Sequence, residues 1–107
     1  MAGPGIVLPE DVRFRRVLHY LFLASRGGAM RSRIVESLSA APRNMNQLAE
    51  ELRVNYKTVQ HHVRILVENE VLVASNTGAY GAVYFLTARM EAQLAVFREI
   101  WKGMGGK

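Results

Sequence analysis

No cysteine occurs anywhere in this chain. Disulfides, thiolate metal sites and cysteine nucleophiles are excluded together, and the composition fits a reducing cytoplasm. Long hydrophobic runs are missing as well. The one candidate, Val17 through Ala24, falls far short of the roughly 20 apolar residues that a membrane span needs, and it contains His19. Arg13, Arg15 and Arg16 precede that run and Ala24-Ser25 follow it, as in a signal peptide. The run is too short for one, however, and the acidic Glu10 and Asp11 stand just before the arginines. It reads as a soluble amphipathic helix, and no membrane partner is expected. Internal repeats and low-complexity segments are absent too. No His, Asp or Glu set has ligand spacing and no serine sits in a nucleophile motif, so an enzyme, a metal and a cofactor are not expected.

What is present fits a single domain. A chain of 107 residues, 50% apolar and 21% charged, can bury one hydrophobic core. The net charge of +5 is unevenly spread. Residues 1–64 hold ten Lys and Arg against five Asp and Glu, whereas residues 65–107 hold four against four. All the excess positive charge therefore lies in the first part. Such an excess suits nucleic acid or an anionic membrane and selects neither.

The pattern along the chain predicts a series of elements. Residues 1–8 carry two Gly and a Pro with little pattern and are expected to form a flexible tail ahead of one domain over 9–107. Pro9-Glu10-Asp11 makes a helical first turn, and Phe14, Val17, Leu18, Leu21 and Phe22 follow at helical spacing until Arg26-Gly27-Gly28. A second helix is predicted from near Met30, with Ile34, Val35 and Leu38 on one face, ending before Pro42. In the third, Asn44 and Gln47 have capping-box spacing, and Met45, Leu48, Ala49 and Leu52 form the apolar side. Only Arg53 and Val54 separate it from Asn55, which can cap a helix carrying Val59, His62, Val63, Leu66 and, at the margin of the pattern, Val67. A turn so short forces a steep crossing, the helix-turn-helix arrangement, over about 44–69.

After Asn69 the period changes to alternation. Val71–Ser75 and Val83–Thr87 read as strands of a hairpin over about 71–87, with a seven-residue tip, 76–82. Thr87 can cap a last helix, about 88–104, whose Met90, Leu94, Phe97, Trp101 and Met104 form one continuous stripe. The expected fold is mainly α with a small β-hairpin: a winged helix-turn-helix with additional N- and C-terminal helices. Part of the stripe is expected to cover the domain's own core, but five large residues exceed what a small core needs, so the leading use is a twofold homodimer interface, alone or with the first helix.

Within this order, NMNQLAEELRVNYKTVQHHVRILVENEVL resembles the helix-turn-helix of ArsR-type winged helix transcriptional regulators. The pieces that carry the resemblance are Leu48-Ala49-Glu50-Glu51-Leu52 and Thr58-Val59-Gln60-His61-His62-Val63, and it covers about residues 30–87. It implies double-stranded DNA as partner. Three departures stand out. Arg53 occupies a turn position that is often Gly, and left-handed backbone there costs a non-Gly residue roughly 1 kcal/mol. Glu70 stands at a second such position, which points to Asn69 as the left-handed cap. The cysteine pair of the metal-sensing members is missing, which excludes thiolate sensing of arsenic, cadmium or zinc.

His61 and His62 cannot jointly grip an ion, because neighbours lie about 100° apart around a helix and ligand pairs need three- or four-residue spacing. His62 reads as a half-buried residue with one ring nitrogen hydrogen-bonded. His61 falls on the polar side with Tyr56, Lys57, Gln60 and Arg64. That side is either an ordinary solvated face or one that enters a major groove, which admits a single helix. In the second case Gln60 suits adenine, His61 or Arg64 guanine, and Tyr56 a phosphate or a thymine methyl group. Lys57 and the Asn55–Thr58 cap region suit phosphate. The hairpin tip lacks Lys and Arg, leaving Asn76, Thr77 and Tyr80 as neutral donors, while Arg31, Arg33 and Arg43 are candidates for the missing phosphate contacts. The leading expectation is therefore a homodimeric, sequence-specific DNA-binding transcriptional regulator. The alternative is a winged helix used for protein contact, as a subunit of a transcription or replication assembly. No residue points to a small-molecule effector.

Overall fold

The computed structural model describes residues 9–75 and 81–105. The tail predicted for 1–8 and most of the hairpin tip, with Asn76, Thr77 and Tyr80, lie outside the described residues. Helix α1 (Pro9–His19) begins with Glu10 and Asp11 in its first turn, where acids complement the helix dipole. The helix then widens into a π-helical turn, Tyr20–Ala24, closed by Ser25, whose amide and hydroxyl both donate to the Tyr20 carbonyl. Helix α2 (Gly28–Ala40) starts two residues before the predicted Met30. Its cap, Gly27, has φ +89°, a left-handed conformation that glycine adopts without penalty.

The capping box is present as predicted. Asn44 Oδ1 accepts from the Gln47 amide and Gln47 Oε1 from the Asn44 amide, both at 2.8 Å, opening α3 (Met45–Leu52). Arg53 closes α3 at φ 58°, the left-handed conformation that the two-residue turn demands. Asn55 Oδ1 then accepts from the Thr58 amide at 2.8 Å, and α4 runs from Tyr56 to Glu68. The cap after α4 differs from expectation: Asn69 has φ −99°, and Glu70 takes the left-handed φ of 61°. Asn69 instead donates its side-chain amide to the Ile65 carbonyl at 2.9 Å, and the chain reverses one residue later.

Strands β2 (Leu72–Ala74) and β3 (Val83–Leu86) pair antiparallel, with Leu72 opposite Leu86 and Val73 opposite Phe85. A third strand, β1 (Arg43–Asn44), pairs with the other edge of β3, giving the order β1-β3-β2. Two residues are too few to show an alternation, so only pairing identifies β1. The last helix is not continuous. Thr87 caps α5 (Ala88–Ala92), the backbone breaks at Gln93, and α6 runs from Leu94 to Gly103. Gln93 is buried and its side-chain oxygen accepts from Arg15 Nε at 3.2 Å, which ties the break to α1.

One core joins all the layers. Phe22 and Phe97 meet edge to face at 5.1 Å between the first and last helices, beside Leu18, Ile34, Val63 and Leu66. Among the described residues, no helix is long and apolar enough to cross a membrane.

Candidate nucleic-acid interface

Helix α4 is divided along its length. Val59, His62, Val63 and Leu66 are buried against the core, whereas Tyr56, Lys57, His61 and Arg64 are exposed on the opposite side. Thr58 and Gln60 lie at the boundary, half-buried. The division follows from the three- and four-residue spacing of the apolar residues: α2, α3 and β2 cover one side and leave the other to solvent. Asn55 heads the helix, exposed, with its side-chain oxygen engaged in the cap.

Beside this face the sheet adds a residue that the sequence reading did not single out. Tyr84 on β3 is half-buried and, with Met45, Gln60 and Arg64, lines an open cleft of about 290 Å³ between α4 and the sheet. It also borders a smaller pocket with Tyr56, Asn44 and Asn46. Burial, and then the nearby Tyr56, push the Tyr84 hydroxyl pKa above its usual value, so it remains a neutral hydrogen-bonding group. Strand alternation carried the signal: Tyr84 shares the parity of the buried Leu86 and so points toward α4.

The three predicted phosphate-binding arginines fare differently. Arg43 keeps a half-buried guanidinium, 3.2 Å from the Glu51 carboxylate, and its Nε donates to the Ser37 hydroxyl at 2.7 Å. Arg33 is exposed and donates to the Leu52 carbonyl at 3.1 Å, capping the end of α3. Arg31 is not a surface group at all. It is 3% exposed, and its guanidinium is spent on acceptors inside the protein: the Leu21 carbonyl at 2.9 Å, the Arg26 carbonyl at 3.0 Å, the Ser25 hydroxyl, and His62 Nδ1 at 3.2 Å. Helical spacing alone does not reveal this, because the partners come from the turn before α2 and from α4.

His62 is more deeply buried than the half-buried state expected, at 8% exposure. Burial first, then the Arg31 guanidinium and His61, hold its imidazole pKa below the usual histidine value. The neutral ring accepts from Arg31 through Nδ1. His61 and His62 meet ring edge to ring face at 5.0 Å between centroids. Among the described residues, no group of three or more His, Cys, Asp or Glu is placed to hold a metal ion.

The predicted dimer stripe is divided by the break at Gln93. Met90 and Phe97 have no exposed surface and belong to the chain's own core, which removes them from any interface. Leu94, Trp101 and Met104 are half-buried at its margin. The large apolar residues that stand clear of the core nearby are Tyr20 and Leu23, 62% and 55% exposed on the π-helical turn.

Comparisons with known proteins agree with this architecture. Residues 30–72, from α2 through the start of β2, match the sequence profile of the family described as "Bacterial regulatory protein, arsR family". No curated protein sequence matches the chain. Two solved structures of the transcriptional regulator YodB from B. subtilis share the fold. The reduced form superposes with a TM-score of 0.64 at 21% identity, covering 90% of this chain and 91% of that one. The diamide-treated form gives 0.63 at 19% identity, covering 95% and 98%. The chain thus shares the winged helix fold of YodB over nearly its whole length, and its helix-turn-helix segment is similar to that of the arsR family of bacterial regulatory proteins.

Proposed function

We propose that this protein is a sequence-specific DNA-binding transcriptional regulator that acts as a homodimer, with α4 in the major groove. The match of residues 30–72 to a family of regulatory proteins supports the class of function. The observation that carries the mode of action is the divided helix α4, entered through a two-residue turn, with Tyr56, Lys57, His61 and Arg64 unburied on one side. A major groove accommodates one helix, whose first turns meet base edges while its flanks meet phosphates. Gln60 and His61 are then the base-reading groups. Lys57, the Asn55–Thr58 cap and Tyr56 contact the backbone, and Arg33 and Arg43 lie on the adjoining elements α2 and β1. Tyr84 extends the set as a neutral donor at the base of the hairpin.

The test is a mobility-shift or filter-binding series on duplex DNA between low and physiological salt. Counterion release makes log K fall linearly with log salt, with a slope near −0.9 for each phosphate neutralised. A steep fall is expected. Affinity that stays flat would overturn the phosphate-contacting face and favour a protein partner for α4.

A further inference from the structure

Three parts of the chain meet at one buried guanidinium. Arg31, on α2, binds the Leu21 carbonyl, the Ser25 hydroxyl and the Arg26 carbonyl, all within the π-helical turn or in the bend after it. Its remaining partner, His62 Nδ1 at 3.2 Å, lies on α4. A guanidinium only donates, so Nδ1 is the acceptor and the ring proton sits on Nε2. The bond fixes both the tautomer and the ring plane. Gly27 completes the packing: a Cβ there would lie 2.6 Å from His62 Cε1, so the bend closes on this ring with no room for a side chain.

The fixed ring has a neighbour on the other side. His61 is exposed on the face proposed to read DNA, and its ring meets that of His62 edge to face, 5.0 Å apart and inclined by 65°. An exposed histidine is free to turn about its side-chain bonds unless something restrains it. Here the restraint runs from the carbonyls of the π-helical turn through Arg31 to His62, and from His62 to His61.

We infer that Arg31 is a positioning residue for base reading: acting through His62, it holds the His61 imidazole in the orientation that meets a base edge. The inference rests on the DNA-reading function proposed above. It differs from a merely structural role in one measurable respect. A structural role lowers stability and weakens all DNA alike, whereas a positioning role lowers selectivity, and only while His61 is present.

The experiment starts by selecting a duplex from random double-stranded DNA with the full wild-type chain. Failure to enrich any sequence would overturn the base-reading function itself, and this inference with it. Enrichment leaves the positioning question to be decided separately. Selectivity, the ratio of Kd for a shuffled duplex to Kd for the selected one, is then measured at fixed salt. The variants are Arg31→Met and His62→Gln, each with and without His61→Ala. Gln keeps an acceptor for Arg31, so His62→Gln decides the question if Arg31→Met does not fold, as judged by circular dichroism and melting. With His61 present, each variant is expected to lose about fivefold or more in selectivity, the low end of what one base-edge contact supplies. In the His61→Ala background the further loss should vanish, because the two changes act on one contact and are not additive. Equal losses in both backgrounds would make Arg31 and His62 structural only. Wild-type selectivity in His62→Gln, or in His61→Ala alone, would remove the link between the ring pair and base reading.

Discussion

Gln60 and Val63 are separated by less than one turn of α4, yet substitutions at the two should fail in different assays. Val63 is fully buried. Val63→Ala should therefore act through the fold, costing about 1–3 kcal/mol of stability by the scale for burying such a side chain. Lys57 is exposed, and Lys57→Ala should weaken all duplexes alike and reduce the salt slope by about one phosphate contact. Gln60→Ala and His61→Ala should leave the melting temperature nearly unchanged, since exposed or boundary substitutions usually move stability by less than ~0.5 kcal/mol. Their effect should appear in the ratio of specific to random binding, which relaxes by a base contact's worth, about 1–3 kcal/mol. Unchanged selectivity in both variants would mean that this face reads something other than bases.

His62 adds a dependence on pH at the same scale. Its folded pKa lies below the ordinary value because burial, Arg31 and His61 all disfavour the charged ring. The unfolded chain therefore binds a proton first as the pH falls. The stabilisation is complete above the ordinary histidine pKa of about 6.5 and is lost as pH drops through the lower folded value. Melting curves from pH 8 to pH 5 should show wild type losing stability relative to His62→Gln over that window. Parallel curves would mean that His62 titrates alike in both states.

At the scale of elements, the junction between α3 and α4 concentrates two opposed effects in three residues. Asn55 satisfies the Thr58 amide, and Asn55→Ala should cost about 1 kcal/mol in urea denaturation, as cap removal does. Arg53 holds φ 58° without glycine's freedom. Arg53→Gly should relieve strain of roughly 1 kcal/mol, partly offset by the greater freedom of the unfolded chain. A clear loss on Arg53→Gly would indicate that the exposed guanidinium is engaged elsewhere. The same junction shows why the helix-turn-helix was legible in advance. Caps at Asn44, Asn55 and Thr87 are local devices, each closed within three residues, so sequence spacing is sufficient to find them. The break at Gln93 was not legible, because its partner, Arg15, lies 78 residues away in the chain.

For the whole molecule, the division of the last helix changes where a dimer contact belongs. Helix α6, which carries the half-buried Leu94, Trp101 and Met104, packs on α1 and on the π-helical turn, which carries the exposed Tyr20 and Leu23. The proposed twofold contact uses these residues and leaves Met90 and Phe97 to the core. Replacing Leu23 and Leu94 together by Asp should yield a folded monomer with weakened DNA binding, measured by sedimentation at micromolar concentration. Wild-type chain that sediments as a monomer there would remove the homodimer. Truncation after Thr87 is a poor probe of the same point, since it takes Phe97 away from Phe22 and opens the core.

Sequence alone determined the helices of the helix-turn-helix and the two sides of α4, because both depend on spacings of three or four residues and on caps that close locally. Leu48, Val59 and Leu66 had to face inward once those helices formed, since burying apolar surface is what stabilises the chain. Tertiary structure alone decided which charged and apolar groups are free to act. Arg31 and Arg33, two residues apart on α2, looked equivalent, and contacts with Leu21, Ser25 and His62 buried one while the other stayed at the surface. Phe97 and Trp101 belonged to one stripe, and the approach of Phe22 took the first wholly into the core and left the second at its edge. A helical period fixes the direction in which a side chain points, but what meets it there comes from distant parts of the chain.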